Sequence, residues 1–170
     1  MSEEGAPYTR LGRITALMDF TWGRTQRMLD QVGELDAWMN RYRPGGPHAL
    51  WIAGHLAVVE AGALKRYTGA AENPLAHWND LFGNGSETVD DPAHYPPVAE
   101  VLSTLKDARA KYREYLSALS DADLDRADIS IDHLPVRDLQ SHVGFMLWHD
   151  SHHGAQLQGI AKTAEAAKAS

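Results

Sequence analysis

His142-Val-Gly-Phe-Met-Leu-Trp-His149-Asp-Ser-His-His153-Gly-Ala-Gln156-Leu-Gln158 is the stretch on which the reading of the fold turns. On a helix, residues four apart lie one turn above each other, so His149 and His153 can aim two imidazoles at one point. Around them Val136, Leu139, His142, Val143, Met146, Leu157 and Ile160 recur at helical spacing. They predict a last helix over about residues 135–162, opened by Pro135. A third donor is available far away in sequence, at His55 in Trp51-Ile-Ala-Gly-His55-Leu56.

The rest of the chain reads as a helical scaffold. Leu11, Ile14, Met18, Trp22, Leu29, Val32, Leu35 and Met39 predict a first helix over about residues 10–40. Arg41-Tyr-Arg-Pro44-Gly-Gly-Pro47 ends it, because proline cannot continue a helix and paired glycines favour a turn. A second helix is expected over about 47–67, with Trp51, His55, Val58 or Val59, Gly62 and Arg66 on its inner stripe. Residues 68–96, rich in glycine and proline, then form a connection far longer than is usual in a small domain. Trp78, Phe82 and Tyr95 argue that this crossover is ordered. A third helix over about 97–119 follows from Val98, Val101, Leu105, Tyr112 and Leu116. No segment alternates with period two. The expectation is an all-α single domain over 1–170, a four-helix bundle with a long crossover between its second and third helices.

Register decides whether the histidines can meet. His55 lies roughly 12 to 14 Å from the start of its helix, and His153 about as far from the end of its own. They come level only if the second and last helices are antiparallel. A crossover of extended chain, covering up to about 3.3 Å per residue, can return along the bundle and make the last helix oppose both the second and the third. It would also bring Asp91, His94 and Tyr95 towards the same end.

Composition bounds the chemistry. The 170 residues contain no cysteine, which excludes disulfides, thiolate ligands and a cysteine nucleophile. A net charge of -7 with scattered basic residues offers no footprint for nucleic acid. The start, Met1-Ser-Glu-Glu-Gly-Ala-Pro7, has no basic segment leading into an apolar one, and no run of the sequence would span a membrane. A cytoplasmic protein acting on a small molecule is expected, with no membrane partner. Of nine histidines, five fall between His133 and His153, which directs attention to that segment. Three imidazoles on apolar stripes need partners, since an unsatisfied buried polar group costs about 1 to 3 kcal/mol. Backbone, water or Asp150 could satisfy them as ordinary core residues. One divalent cation would satisfy all three and keep an open position, as in catalytic zinc sites or their nickel and iron relatives.

Trp51-x-x-x-His55-Leu56 followed by His149-x-x-His152-His153-x-x-Gln156 resembles the DinB/YfiT-like superfamily of metal-dependent four-helix bundles, over nearly the whole chain. The resemblance implies up-down-down-up connectivity and a metal site made by His55, His149 and His153. It also implies zinc or nickel as the metal. The expected activity is a thiol-dependent S-transfer to an electrophilic small molecule, with a low-molecular-weight thiol such as bacillithiol or mycothiol as cofactor. A metal-dependent hydrolase using metal-bound water is the alternative enzyme. The other alternative is a non-catalytic metal- or ligand-binding stress-response protein.

Gln156, His48, His94 and Tyr95 are candidate pocket residues, and Glu60, Asp150 and Asp19 are candidate acceptors for the histidines' second nitrogens. His142 reads as core and His152 as facing a groove or solvent. Apolar residues left exposed on the first helix would suit a homodimer. No His-Glu-x-x-His motif or Glu-x-x-His pair accompanies His149 and His153, which excludes the zincin and di-iron arrangements there.

Overall fold

Helix α1 (Arg10–Glu34) starts where Thr9 Oγ1 accepts from the Gly12 N–H and stops at Asp36, whose φ of 51° takes the chain into the left-handed region. There the Ala37 N–H reaches back to the Val32 carbonyl and closes the helix end. The helix therefore ends short of the expected residue 40. Leu35 and Met39 keep helical spacing but pack on the core from a turn. These contacts belong to a computed structural model describing residues 9–70 and 72–170; the polar start Met1 to Pro7 lies outside the described residues.

Helix α2 (Ala49–Thr68) is apolar nearly all round and buried along most of its length, as expected of a helix with neighbours on every side. Gly69, at φ 69°, ends it in the conformation that glycine adopts without cost. The crossover contains the single turn α3 (Asn79–Phe82) and delivers Trp78, Phe82 and Tyr95 to the core. Helix α4 (Val98–Ser117) follows. The last helix, α5 (Leu139–Ala169), begins later than Pro135. Pro135 sits in a turn closed by the Ile131 and Val136 bridge, and Asp138 with Ser141 forms a capping box that sets the helix start. Among the described residues the fold is all-helical apart from isolated bridges, and no helix is long and apolar enough to cross a membrane.

Side-chain contacts pair the long helices in a definite order. Along α2 and α4 the partners ascend together, Glu60 with Arg109 and then Tyr67 with Tyr112. Along α1 and α5 they also ascend, Arg10 with Gln140, Thr25 with Asp150 and Gln31 with Glu165. Between α2 and α5 they run in opposite order, His55 with His149 but Tyr67 with His142.

The apolar core is divided. One cluster gathers Leu29, Ile52, Leu56, Phe82, Leu105 and Leu157. The other gathers Met18, Tyr67, Tyr112, Leu116, Val143 and Met146. Between them lies a polar layer to which every long helix contributes: Thr25, Glu60, Arg109 and Asp150. Arg109 bonds Glu60 at 3.1 Å and Asp150 at 2.8 Å, Thr25 donates to Asp150, and the guanidinium carbon stands 5.4 Å from the Trp22 ring centroid.

Candidate metal centre

His55 occupies the middle of the buried helix α2, and α5 presents His149 and His153 one turn apart on the stripe that meets it. Each of the three offers a ring nitrogen, and these atoms all lie within 4.8 Å of one another. The Nε2 atoms of His55 and His149 are 3.1 Å apart. The three histidines expected to meet are therefore brought together.

Two of the rings have their tautomer set by an oxygen that can only accept. The His55 Nδ1–H donates to the Phe82 carbonyl at 2.7 Å, and the His153 Nδ1–H donates to Gln156 Oε1 at 2.8 Å. Both Nε2 lone pairs are then left for the shared point. The amide of Gln156 completes the arrangement by donating from Nε2 to His152 Nε2 at 3.1 Å. Trp51 lies flat on His55, ring centroids 4.5 Å apart and planes 12° apart, and its indole N–H is fixed by Ser86 Oγ at 2.9 Å. This covers one side of the cluster with a rigid apolar wall.

Burial keeps these rings neutral. His55 is lowered by loss of water, against the bond to Phe82. His149 is lowered to about 4 and His153 to about 3, by burial first and then by the neighbouring imidazoles. Neutral imidazoles with outer nitrogens already bonded are the donors a borderline divalent cation takes, so the residues present fit such an ion.

The outer partners differ from those expected. Asp150 and Glu60 are committed to Arg109, and Asp19 pairs with Arg113 at the surface, so none of the three carboxylates supports a histidine. A crossover carbonyl and Gln156 serve instead. Phe82 is placed by Gly54, the residue before His55: a Cβ there would fall 2.4 Å from Phe82 Cδ1. Glycine beside His55 was the available signal, because it lets the crossover touch α2. Gly54→Ala is therefore expected to push Phe82 off α2 and release His55. Metal affinity should fall about 10- to 100-fold and stability by about 1–3 kcal/mol, measured by metal titration and thermal melting. An unchanged affinity would show that the Phe82 bond does not orient His55.

Of the four pocket candidates, Gln156 alone bonds a member of the cluster. His48 is fully buried and caps α2, its Nδ1 accepting from the Trp51 N–H and its Nε2–H donating to the Val89 carbonyl. Tyr95 is buried edge-on against His48, with its hydroxyl accepting from the Val89 N–H, and His94 is exposed. Tyr95, not His94, packs inward, its ring stacked on that of Phe82 with centroids 5.4 Å apart. His142 is core, bonded through Nδ1 to the Tyr67 hydroxyl at 2.6 Å, and His152 is exposed.

No curated protein matches the chain. The family model of the DinB superfamily matches residues 17–157, a span that takes in α2, the crossover and all three clustered histidines. The chain belongs to the DinB superfamily.

Proposed function

We propose that this chain is a metal-dependent enzyme that transfers a small thiol to an electrophilic small molecule, with His55, His149 and His153 as the ligands of a zinc or nickel ion. The observation carrying the reading is the convergence of three neutral imidazoles within 4.8 Å. A divalent cation bound there would supply the positive charge that lowers a thiol's pKa into the physiological range. The chain's own part is to hold and orient. The Phe82 carbonyl and Gln156 fix two rings, and Trp51 excludes water from one side. The thiol sulfur forms the new bond to carbon, its proton passes to solvent, and the leaving group departs with its bonding pair. The nearby buried carboxylates, Glu60 and Asp150, are tied to Arg109. That favours a nucleophile needing no protein base over a hydrolytic one that would use such a base.

The same proposal takes the four long helices as one up-down-down-up domain, supported by the ascending and descending contact pairs above. Leu17 and Phe20 on α1 and Trp148 on α5, exposed by 58%, 64% and 59%, support a homodimer.

Elemental analysis of tag-free protein beside His149→Ala tests the ligand set. About one divalent ion per parent chain and near none in the variant are expected, because losing one of three ligands removes both a bond and the chelate. Equal, substoichiometric metal in both would defeat the assignment. Turnover of electrophiles that is the same with and without bacillithiol, mycothiol or glutathione would defeat the thiol chemistry.

A further inference from the structure

A trough between α2 and α5 is lined by Val59, Gly62, Arg66, His142, Phe145 and Met146. Helix geometry draws its two walls. On α2, His55, Val59, Gly62 and Arg66 are spaced i, i+4, i+7 and i+11, so they share one face. On α5, Phe145 and His142 step back from His149 by four and seven residues and share another. The helices pass in opposite directions, so both stripes leave the histidine cluster together. Phe145, in the trough's lining, is the neighbour of the cluster, with its ring centroid 6.2 Å from that of His149.

The walls are mainly apolar. Val59 and Phe145 are half-buried, Met146 lies between them and the core, and His142 turns its Nδ1 inward to Tyr67. Arg66 is the cation among the lining residues. It is exposed, and among the described residues no carboxylate forms an ion pair with it. It is close enough to His142 for its charge to help depress that imidazole. Eleven residues along a helix place it roughly 16 Å beyond the level of His55.

We propose that the trough holds the body of an elongated ligand whose reacting end lies at the histidines, and that Arg66 receives an anionic group at the ligand's far end. The ligand class is an amphiphile, apolar in the middle and bearing a carboxylate or phosphate remote from its reactive end. The proposal rests on the metal-centre reading for the position of the reacting end. Arg66 would then select among small molecules by length and charge, since a guanidinium pairs with a planar anion through two parallel bonds.

The test uses the zinc-loaded full chain and three thiols: mercaptoundecanoate, its uncharged counterpart mercaptoundecanol, and mercaptoacetate, which is too short to span the trough. Binding is followed by calorimetry and by tryptophan fluorescence, because Trp51 stacks on His55. Parent protein should prefer mercaptoundecanoate over mercaptoundecanol by about fivefold. Arg66→Ala should abolish that preference, Arg66→Lys should restore part of it, and Arg66→Glu should reverse it. Mercaptoacetate should bind all four proteins alike. A preference that survives in Arg66→Ala, or an equal loss for mercaptoacetate, overturns the proposal. A parent chain that takes up no zinc sinks the metal-centre reading instead. The trough is then probed by dodecanoate on the metal-free chain, where binding weakened by Arg66→Ala upholds it and binding indifferent to Arg66 overturns it.

Discussion

Replacing Arg109 with methionine is expected to lower the unfolding free energy by about 3–5 kcal/mol at neutral pH, read as a fall in the urea midpoint with little change of slope. Arg109 is the cation in the layer between the two apolar clusters, and it bonds carboxylates from two other helices. Methionine fills similar volume, so the loss isolates the electrostatics: Asp150 would remain buried without its counter-ion and Glu60 without its hydrogen-bond donor. The acids do not carry equal charge beforehand. Glu60 is 2% exposed and its Oε2 has no hydrogen-bond partner. Burial outweighs the guanidinium and pushes it up to about 8. At neutral pH Glu60 therefore holds its proton, and Arg109 is balanced chiefly by Asp150. Asp150 is also raised by burial, but Arg109 and the Thr25 hydroxyl oppose the rise.

Glu60→Gln should then stay within about 1 kcal/mol of the parent near pH 4, where the carboxyl is protonated in the folded chain and largely so in the unfolded one. The parent should fall behind E60Q as pH rises. A carboxyl whose folded pKa exceeds its unfolded one contributes stability that is full below about 4.5 and is lost as pH rises through about 8. A parent midpoint retained by R109M would show that the layer does not hold the helices together.

Much of the scaffold and the convergence of the three histidines could be read from spacing. The pair His149 and His153 is visible as an i, i+4 step, and His55 as a histidine on an apolar stripe. Their meeting required only that α2 and α5 be antiparallel. Helix ends were less legible. The step from Val32 to Leu35 and Met39 fits a helix, yet Asp36 at φ 51° breaks it. Aspartate tolerates that conformation without advertising it as glycine does. Pro135 looked like a helix opener, but the Asp138 and Ser141 capping box satisfies the first turn better.

The polar layer was not legible because each member is ordinary on its own helix. Arg109 lies among charged residues of α4, and only the pairing of four helices makes it the partner of Glu60 and Asp150. The support of His55 was hidden for the same reason. Its partner is a backbone carbonyl, which has no signature in sequence, from a crossover twenty-seven residues away. Glycine at position 54 is its one trace.

With a chelator present, acidification from pH 7 to pH 5 should destabilise the parent more steeply than it does H48N/H142Q. His48 and His142 are the two buried imidazoles outside the three-histidine cluster, and burial lowers each to about 4. Hydrogen bonding agrees with the neutral form. His48 Nδ1 must accept from the Trp51 N–H to cap α2, and His142 Nδ1 is the acceptor for the Tyr67 hydroxyl. As pH falls, the unfolded chain takes up protons on these rings near 6.5 while the folded chain resists. Their contribution is thus fully present above that value and is lost as pH drops through about 4. At pH 5, about 1.5 pH units below the unfolded value, each ring withholds up to about 2 kcal/mol. The pair should account for about 4 kcal/mol between pH 7 and pH 5, measurable as a urea midpoint that falls faster in the parent. Asparagine can keep the helix cap and glutamine an acceptor near Tyr67, so the variant removes the titration while leaving the bonds a partner. Parallel slopes for the two proteins would mean that these rings titrate alike in both states and that their burial carries no proton-linked stability.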